Sequence, residues 1–487
     1  MPEAKTFTVK HYLPYVAVLL LFGVGIWLIL SAGSRFYSQP SSPAATAESV
    51  PAGATSAHSQ QPDSGRSYAT RIFQENLRNS LTILLLQLVV IIVAARLVGR
   101  LFRKIGQPPV LGEIVAGIVL GPSLLGWLSP PAMDLLFPAG SMETLKLLSQ
   151  IGVVLFMFVV GVELDVQHLR KKAHTAVMVS NASIIVPFFL GVSLSLLLYR
   201  SLAPAGKSFT AFALFMGIAM SITAFPVLAR ILEDRGMSKT YLGSIALTCA
   251  AVDDVTAWCM LALVIAVAQS SSVAASFLTI ALALAFIAIM LLLVKPQFAR
   301  LLATRANSGE YSRGVVAGIL AFVFASALIT EAIGIHALFG AFLAGVVMPS
   351  TGGLRVLLKE RIGTFSAVAL LPLFFAFTGL RMQVNLLNDW HSWVMCAVIV
   401  MVAISGKLGA SMLMARWTGM NWRDSFSLGV LMNTRGLVEL IVLNVGYDLG
   451  ILSARAFAML VLMALITTFM TGPMLALVRG DQSQTYV

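Results

Sequence analysis

The sequence predicts an all-α polytopic membrane protein, with about 13 core transmembrane helices of ~20 residues each and one extra N-terminal helix. Three observations carry this expectation. The chain of 487 residues is 58 % apolar and only 11 % charged, with a mean hydropathy of +0.89; soluble domains run at roughly 45–50 % and about 25 %. The apolar residues come in long unbroken runs, not in the short alternating segments of a membrane β-barrel. Once spans are drawn, the basic residues segregate to one side. The composition alone excludes a soluble enzyme, a disordered chain and a nucleic-acid binder.

The first apolar run, 12–32, follows Lys5 and Lys10. At about 20 residues it exceeds the ~7–15 of a signal-peptide core, so residues 1–33 are expected to remain as a transmembrane helix or signal anchor. Residues 34–79 are rich in Ser, Ala, Pro and Gln. They hold too few large apolar side chains to fold and are expected to form a flexible extracytoplasmic linker. Removing residues 1–70 is therefore expected to leave the membrane core working. Core spans follow near 80–101, 107–126, 145–163, 174–199, 208–230, 241–268, 275–294, 312–330, 333–350, 363–380, 390–413, 425–446 and 454–477. A short cytoplasmic tail, 478–487, ends the chain.

Loop charge supports this division. With the 80–101 span running from outside to inside, 22 of the 33 Lys and Arg fall inside, nine outside and two within spans. One missed helix would invert every later loop and erase this positive-inside asymmetry. The net charge of +12 is thus assigned to cytoplasmic loops, and the topology places the C-terminus in the cytoplasm of a bacterial inner membrane. Cys249, Cys259 and Cys396 lie in apolar runs without metal or redox spacing and are expected to be small buried hydrophobes.

Two oppositely oriented spans share a pattern. Leu111-Gly112-Glu113-Ile114-Val115-Ala116-Gly117, ending in Gly121-Pro122, parallels Phe339-Gly340-Ala341-Phe342-Leu343-Ala344-Gly345, ending in Pro349. Such weak similarity marks an inverted repeat, although small residues also recur at membrane helix contacts in general.

Charges inside a bilayer are costly, so each is a functional candidate. Glu163 and Asp165 end a helix beside His168, Arg170, Lys171 and Lys172, and are expected to be interfacial; Glu113 and His336 are expected to be structural. Asp253 and Asp254 are different, because they fall at the middle of the 241–268 span. Neighbouring helical residues point about 100° apart, so one carboxylate can face a partner helix while the other faces a cavity. In low dielectric the two cannot both be cheaply ionised, which suits a site that trades a proton for a cation. Lys407 lies nine residues before Arg416, so roughly 13 Å inside the cytoplasmic end. It needs a carboxylate partner or must shed its proton, and the aspartates are nearest in depth.

Two spans look broken. Pro226 frees a backbone carbonyl one turn earlier, with Ser221 and Thr223 adding hydroxyls. The polar run Asn433-Thr434-Arg435-Gly436 interrupts a later span. Arg435 and Glu439, four apart, can pair on one face or cap half-helices whose ends meet in the membrane.

These motifs resemble the monovalent cation/proton antiporter superfamily, in its bacterial Na⁺/H⁺ branch with an Asp-Asp motif. The resemblance covers about residues 80–477. It rests on Gly112-Glu113-Ile114 with Gly121-Pro122, on Asp253-Asp254, on Lys407, and on the interrupted helices at Thr223–Pro226 and Thr434–Gly436. It implies two inverted six-helix repeats with crossed broken helices, joined by a linking helix at 275–294. It further implies a homodimer, with a dimerisation part at about 80–165 and 312–380 and a core transport part at about 174–268 and 390–477. Asp254 would be the main cation and proton carboxylate, with Asp253 paired to Lys407 when no cation is bound. Asp253, Asp254 and Thr223 would hold the transported Na⁺ or K⁺, supported by Ser221, Pro226, Thr434, Arg435 and Glu439.

The function this implies is antiport of a monovalent cation, sodium favoured, against protons by alternating access, with net charge moved per cycle. The alternatives are potassium/proton exchange without nucleotide regulation and sodium-coupled symport on crossed helices. A channel filter and an enzyme's ligand or nucleophile set are not found; the six histidines are scattered. No resident cofactor, nucleic-acid partner or nucleotide domain is expected, and the surrounding partner is the lipid bilayer.

Overall fold

The computed structural model describes residues 13–36, 79–163, 173–238, 240–269, 273–306, 313–349 and 353–479. Every regular element among them is helical, as lipid requires: with no water to satisfy the backbone, a spanning segment must close its own hydrogen bonds. In chain order these are α1 (Leu13–Phe36), α2 (Ser80–Lys104), α3 (Pro109–Leu120), α4 (Ala139–Glu163) and α5 (Ala173–Leu202). The broken pair α6 (Phe209–Ser221) and α7 (Phe225–Asp234) follows, then α8 (Tyr241–Gln269). Helix α9 runs from Val273–Ile289 through a π turn at Met290–Val294 into Lys295–Ala306. Then come α10 (Arg313–Ile333), α11 (Ala337–Val346) and α12 (Leu371–Arg381), the last preceded by helical turns from Leu354. Helix α13 joins Trp390–Ile404 to Ala410–Trp417 through a π turn, Ser405–Gly409. The second broken pair, α14 (Trp422–Met432) and α15 (Leu437–Asp448), precedes α16 (Ala454–Arg479).

Among the described residues 11 helices are long and apolar enough to cross a membrane, or 12 with the α14–α15 pair taken as one bent span. The expected 13 core spans exceed this because α11 has only 10 residues. Its start is set by His336, the N-cap at φ 94°, instead of near 333. The linking helix was expected to stop at 294 and instead reaches Ala306. Pro296 cannot donate to the carbonyl four residues back, and it follows directly on a π turn in which the Lys295 N–H reaches Met290 O. Cys249 and Cys396 are buried, but Cys259 is exposed on the flank of α8. The tail beyond 479 and the residues Asp165, His168, Arg170, Lys171 and Lys172 lie outside the described residues.

Packing divides the helices into two groups. Helices α2, α3, α4, α10, α11 and α12 pack together, as do α5 to α8 and α13 to α16. Their pairing is crosswise: α3 packs on α12, and α11 packs on α4. The two glycines matched by the repeated motif make these contacts. A Cβ on Gly117 would sit 2.2 Å from the Ala376 carbonyl oxygen, and one on Gly345 would sit 2.1 Å from that of Phe158. Second and third helices of the two repeats therefore exchange partners, and each repeat breaks its fifth span.

Helix α1 precedes the first repeat. It packs on α5 and α6. The Phe22 and Phe189 rings meet edge to face at 5.1 Å, while Leu20, Val24, Trp27 and Leu28 stay exposed. A cut at residue 70 thus removes a packed helix; the expected linker, from residue 37 to 78, lies outside the described residues.

Candidate ion site

The site is built from helix ends. Helix α6 stops at Ser221, residues 222–224 run extended, and α7 begins with Pro226 in its first turn. Residues 433–436 separate α14 from α15. The two breaks meet: the Ala224 N–H donates to the Thr434 carbonyl at 3.0 Å, and the Thr223 hydroxyl lies 3.0 Å from the Met432 carbonyl oxygen.

A helix that stops inside a protein leaves carbonyls without donors. At the end of α6 two cations supply them. Arg435 Nη1 donates to Ala219 O at 2.6 Å and Nη2 to Met220 O at 2.7 Å. Nη1 also reaches Glu439 Oε1 at 3.1 Å. The two uses foreseen for Arg435 and Glu439, pairing and capping, thus occur together. Each charge suits its helix end, the cation at a C-terminus and the acid in the first turn of α15. Lys407 Nζ donates to the next carbonyl, Ser221 O.

Lys407 stands in the π turn of α13, a distortion common at functional positions. Its second acceptor is Ser183 O on α5, at 2.9 Å. Pro187 explains why that carbonyl is free: four residues on, it has no N–H to give. The third acceptor is Asp253 Oδ2 at 3.0 Å. The ammonium's three principal acceptors match its three donors, and Lys407 and Asp253 are both 0 % exposed.

The adjacent aspartates have opposite surroundings. Asp253 accepts from Ser180 at 2.5 Å and Ser183 at 2.8 Å, and from Thr223 at 2.7 Å and Lys407 at 3.0 Å. Four donors fill about all that a carboxylate can accept. Asp254 is as deeply buried, 2 % exposed, yet no side chain donates to it and neither oxygen is within hydrogen-bond geometry of a donor; the backbone N–H of Phe225, at the start of α7, is the donor that acts on it. Asp253, Thr223, Ser221 and Lys407 therefore form one node, and Arg435 with Glu439 forms a second on the same crossing. Asp254 borders the first node without joining it. Thr434 contributes its carbonyl, while its hydroxyl lies 3.4 Å from Thr471 Oγ1. Ser180 and Ser183 were not singled out in the sequence. The available signal was Ser183 standing four residues before a proline in a membrane span.

Away from the crossing, Glu163 pairs with Lys359 at 2.7 Å, and the His336 ring only caps Leu338 N–H, at 3.5 Å. At one end of the molecule polar contacts join the two packing groups. Asp448 on α15 takes Lys146 of α4 at 3.2 Å and also pairs with Arg381 of α12. Arg381 donates to Asn444 at 2.8 Å, and Asn444 donates to Thr378 at 2.8 Å. Lys146 and Arg381 are both on the side that the loop charges assigned to the outside.

Crossed helix breaks beside a bare buried carboxylate define a secondary transporter of the broken-helix class. The comparisons narrow this. Residues 89–478 match the family described as "Sodium/hydrogen exchanger, transmembrane", and the chain belongs to that family. It is 46 % identical over 397 residues to "Na(+)/H(+) antiporter NhaS4" of Synechocystis, covering 81 % of this chain and 97 % of that one. It is 40 % identical to "Cation/H(+) antiporter 17" of Arabidopsis thaliana over 85 % of this chain and 51 % of the relative. It is 33 % identical to "K(+)/H(+) antiporter 1" of Saccharomyces cerevisiae over 84 % and 48 %. The chain thus spans about half the length of these plant and yeast relatives. The solved sodium proton antiporter MjNhaP1 of Methanocaldococcus jannaschii shares the fold, with a TM-score of 0.59 at 14 % identity, over 82 % of this chain and 97 % of that one.

Proposed function

We propose that the protein exchanges a monovalent cation, sodium in preference to potassium, for protons across a bacterial inner membrane, and that it does so by alternating access. The observation that carries this is the contrast between Asp254, buried with both oxygens unpartnered, and Asp253, closed by four donors. A bare buried carboxylate suits either a proton or a cation but not both, which is the competition antiport requires. Sodium is favoured because the 46 %-identical relative, matched over 97 % of its length, carries sodium in its name.

In this reading α5 to α8 and α13 to α16 form the transport half. Helices α2 to α4 and α10 to α12 form the fixed half, which also makes a homodimer contact. The ties from Asp448 to Lys146 and Arg381 close the extracytoplasmic side, and the C-terminus is cytoplasmic. Cation binding displaces the proton of Asp254, and Lys407 releases a second proton to water on the open side. The loaded core then carries one net negative charge, and the protonated core carries none. One charge per cycle couples about 2.3 kcal/mol for each 100 mV, equivalent to about a 50-fold cation gradient.

Proteoliposomes with a clamped potential test this. Wild-type exchange should be driven by voltage with either cation gradient, more strongly with sodium. Lys407→Arg should abolish voltage-driven exchange or make it insensitive to voltage, since arginine keeps its proton at any working pH. Unchanged voltage-driven exchange in that variant would remove Lys407 as a proton carrier.

A further inference from the structure

Six of the seven tryptophans are 50–75 % exposed, as suits a side chain with an apolar body and an N–H that seeks the membrane interface. Trp258 is the exception. It lies near the middle of α8 and is 2 % exposed. A buried tryptophan usually finds an acceptor for its ring N–H, yet Trp258 Nε1 has no hydrogen-bond partner. Filling space alone does not require this, since a phenylalanine fills a core without stranding a donor.

Its place follows from helix geometry. Asp254 and Trp258 stand four apart in α8, so they share a face. Side chains on an α-helix lean toward its N-terminus and cover the turn before their own Cα. For Trp258 that is the turn carrying Asp254, about 6 Å away along the axis. By the loop charges α8 runs from inside to outside. The indole therefore stands over Asp254 on the extracytoplasmic side, where Asp448 ties Lys146 and Arg381. Trp258 also belongs to an apolar core that continues from Phe212 and Phe215 of one packing group into Phe158 and Phe342 of the other. That core parts when the two groups move against each other.

We propose that Trp258 is the extracytoplasmic gate of Asp254, a role that rests on Asp254 being the exchanging carboxylate. In the closed position its ring keeps outside water from the carboxylate. On opening to the outside the indole swings off that face, and its stranded N–H gains water. The apolar body favours closure and the unpaired N–H opposes it, which leaves the gate free to move in each cycle.

The test is sided labelling of position 254 in right-side-out and inside-out bacterial membrane vesicles, with the full chain lacking Cys249, Cys259 and Cys396. In Asp254→Cys, a charged, impermeant methanethiosulfonate added outside should react slowly, because it waits for the gate to open. With Trp258→Ala added, reaction from outside should be at least about tenfold faster, the change made by removing an opening step of ~1.4 kcal/mol. Reaction from inside should not change. Trp258→Phe, which keeps a ring over the site, should label at the parent rate. An outside rate unchanged by alanine overturns the proposal. So does a rise that is equal on both sides, which would mean a loosened fold. Exchange that survives Asp254→Asn removes the carboxylate assignment and leaves the labelling result standing, a separate outcome.

If the alanine protein does not fold, Trp258 itself reports. In a chain whose six other tryptophans are replaced by phenylalanine, its emission should be blue-shifted and unquenched by iodide outside the vesicle. Asp448→Ala, which cuts both outer ties, should move the emission to longer wavelength and let outside iodide quench it. Emission that stays blue and unquenched without the ties, or is already red and quenched with them, counts against the gate.

Discussion

Asp254→Asn reduces exchange to the leak of protein-free liposomes while leaving the protein folded. The amide keeps the volume of the side chain and loses the ability to trade a proton for a cation. Stability should hold or improve, since neither carboxylate oxygen has a partner to lose and a buried unpaired charge is a cost. Asp253→Asn should differ, because it leaves Lys407 without its carboxylate at 0 % exposure. Removing one member of a buried pair costs about 3–5 kcal/mol, so this variant should melt well below wild type in detergent. Retained exchange in Asp254→Asn would refute its assignment as the exchanging carboxylate. Equal melting temperatures for the two variants would refute the division of labour between neighbours.

The second large effect concerns the ties between the two packing groups. Asn444 on α15 donates to Thr378 on α12 at 2.8 Å, beside the Arg381–Asp448 pair. A Thr378→Cys/Asn444→Cys protein, made without Cys249, Cys259 and Cys396, brings two thiols together at this seam. Mercuric ion, which bridges thiols, should then arrest exchange completely, and an excess of free thiol, which takes the mercury by ligand exchange, should restore it. Each single-cysteine variant should be unaffected. Full exchange with the bridge in place would mean that the two groups do not separate here during the cycle.

Much of the site could be read from sequence, because a charge inside an apolar run has no neutral explanation. Asp253, Asp254, Lys407, Arg435 and Glu439 all announce themselves in this way. Pro226 and the run at Asn433 to Gly436 likewise mark the breaks, since proline and polar clusters end membrane helices. The spacing could not say which aspartate takes the lysine; it left one on each face, and that choice came from family resemblance. The serines were hidden because serine is ordinary in membrane helices, and its role depends on which way a hydroxyl turns. The Asp448 ties were hidden for another reason, since Lys146, Arg381 and Asp448 are brought together only by tertiary packing. Span bounds were missed at α11, which starts at the His336 cap instead of near 333, and at α9, which continues past a π turn to Ala306 instead of ending at 294.

Helix α1 has a consequence for how the protein meets its membrane. Its 24 residues make a rod of about 36 Å, enough to cross a hydrocarbon layer of ~30 Å. Gly33 lies so close to Phe209 that an added Cβ would sit 2.1 Å from the ring, so α1 is pressed onto α6 and not loosely parked beside it. In the proposed cycle it therefore travels with the transport half, and the annular lipids that rearrange at each stroke meet Trp27 and Leu28 where they would otherwise meet Phe189. The mechanical load that bilayer thickness places on exchange then falls on a helix that precedes the shared antiporter core. A protein with the same carboxylates and lysine but no such helix would feel the same membrane differently.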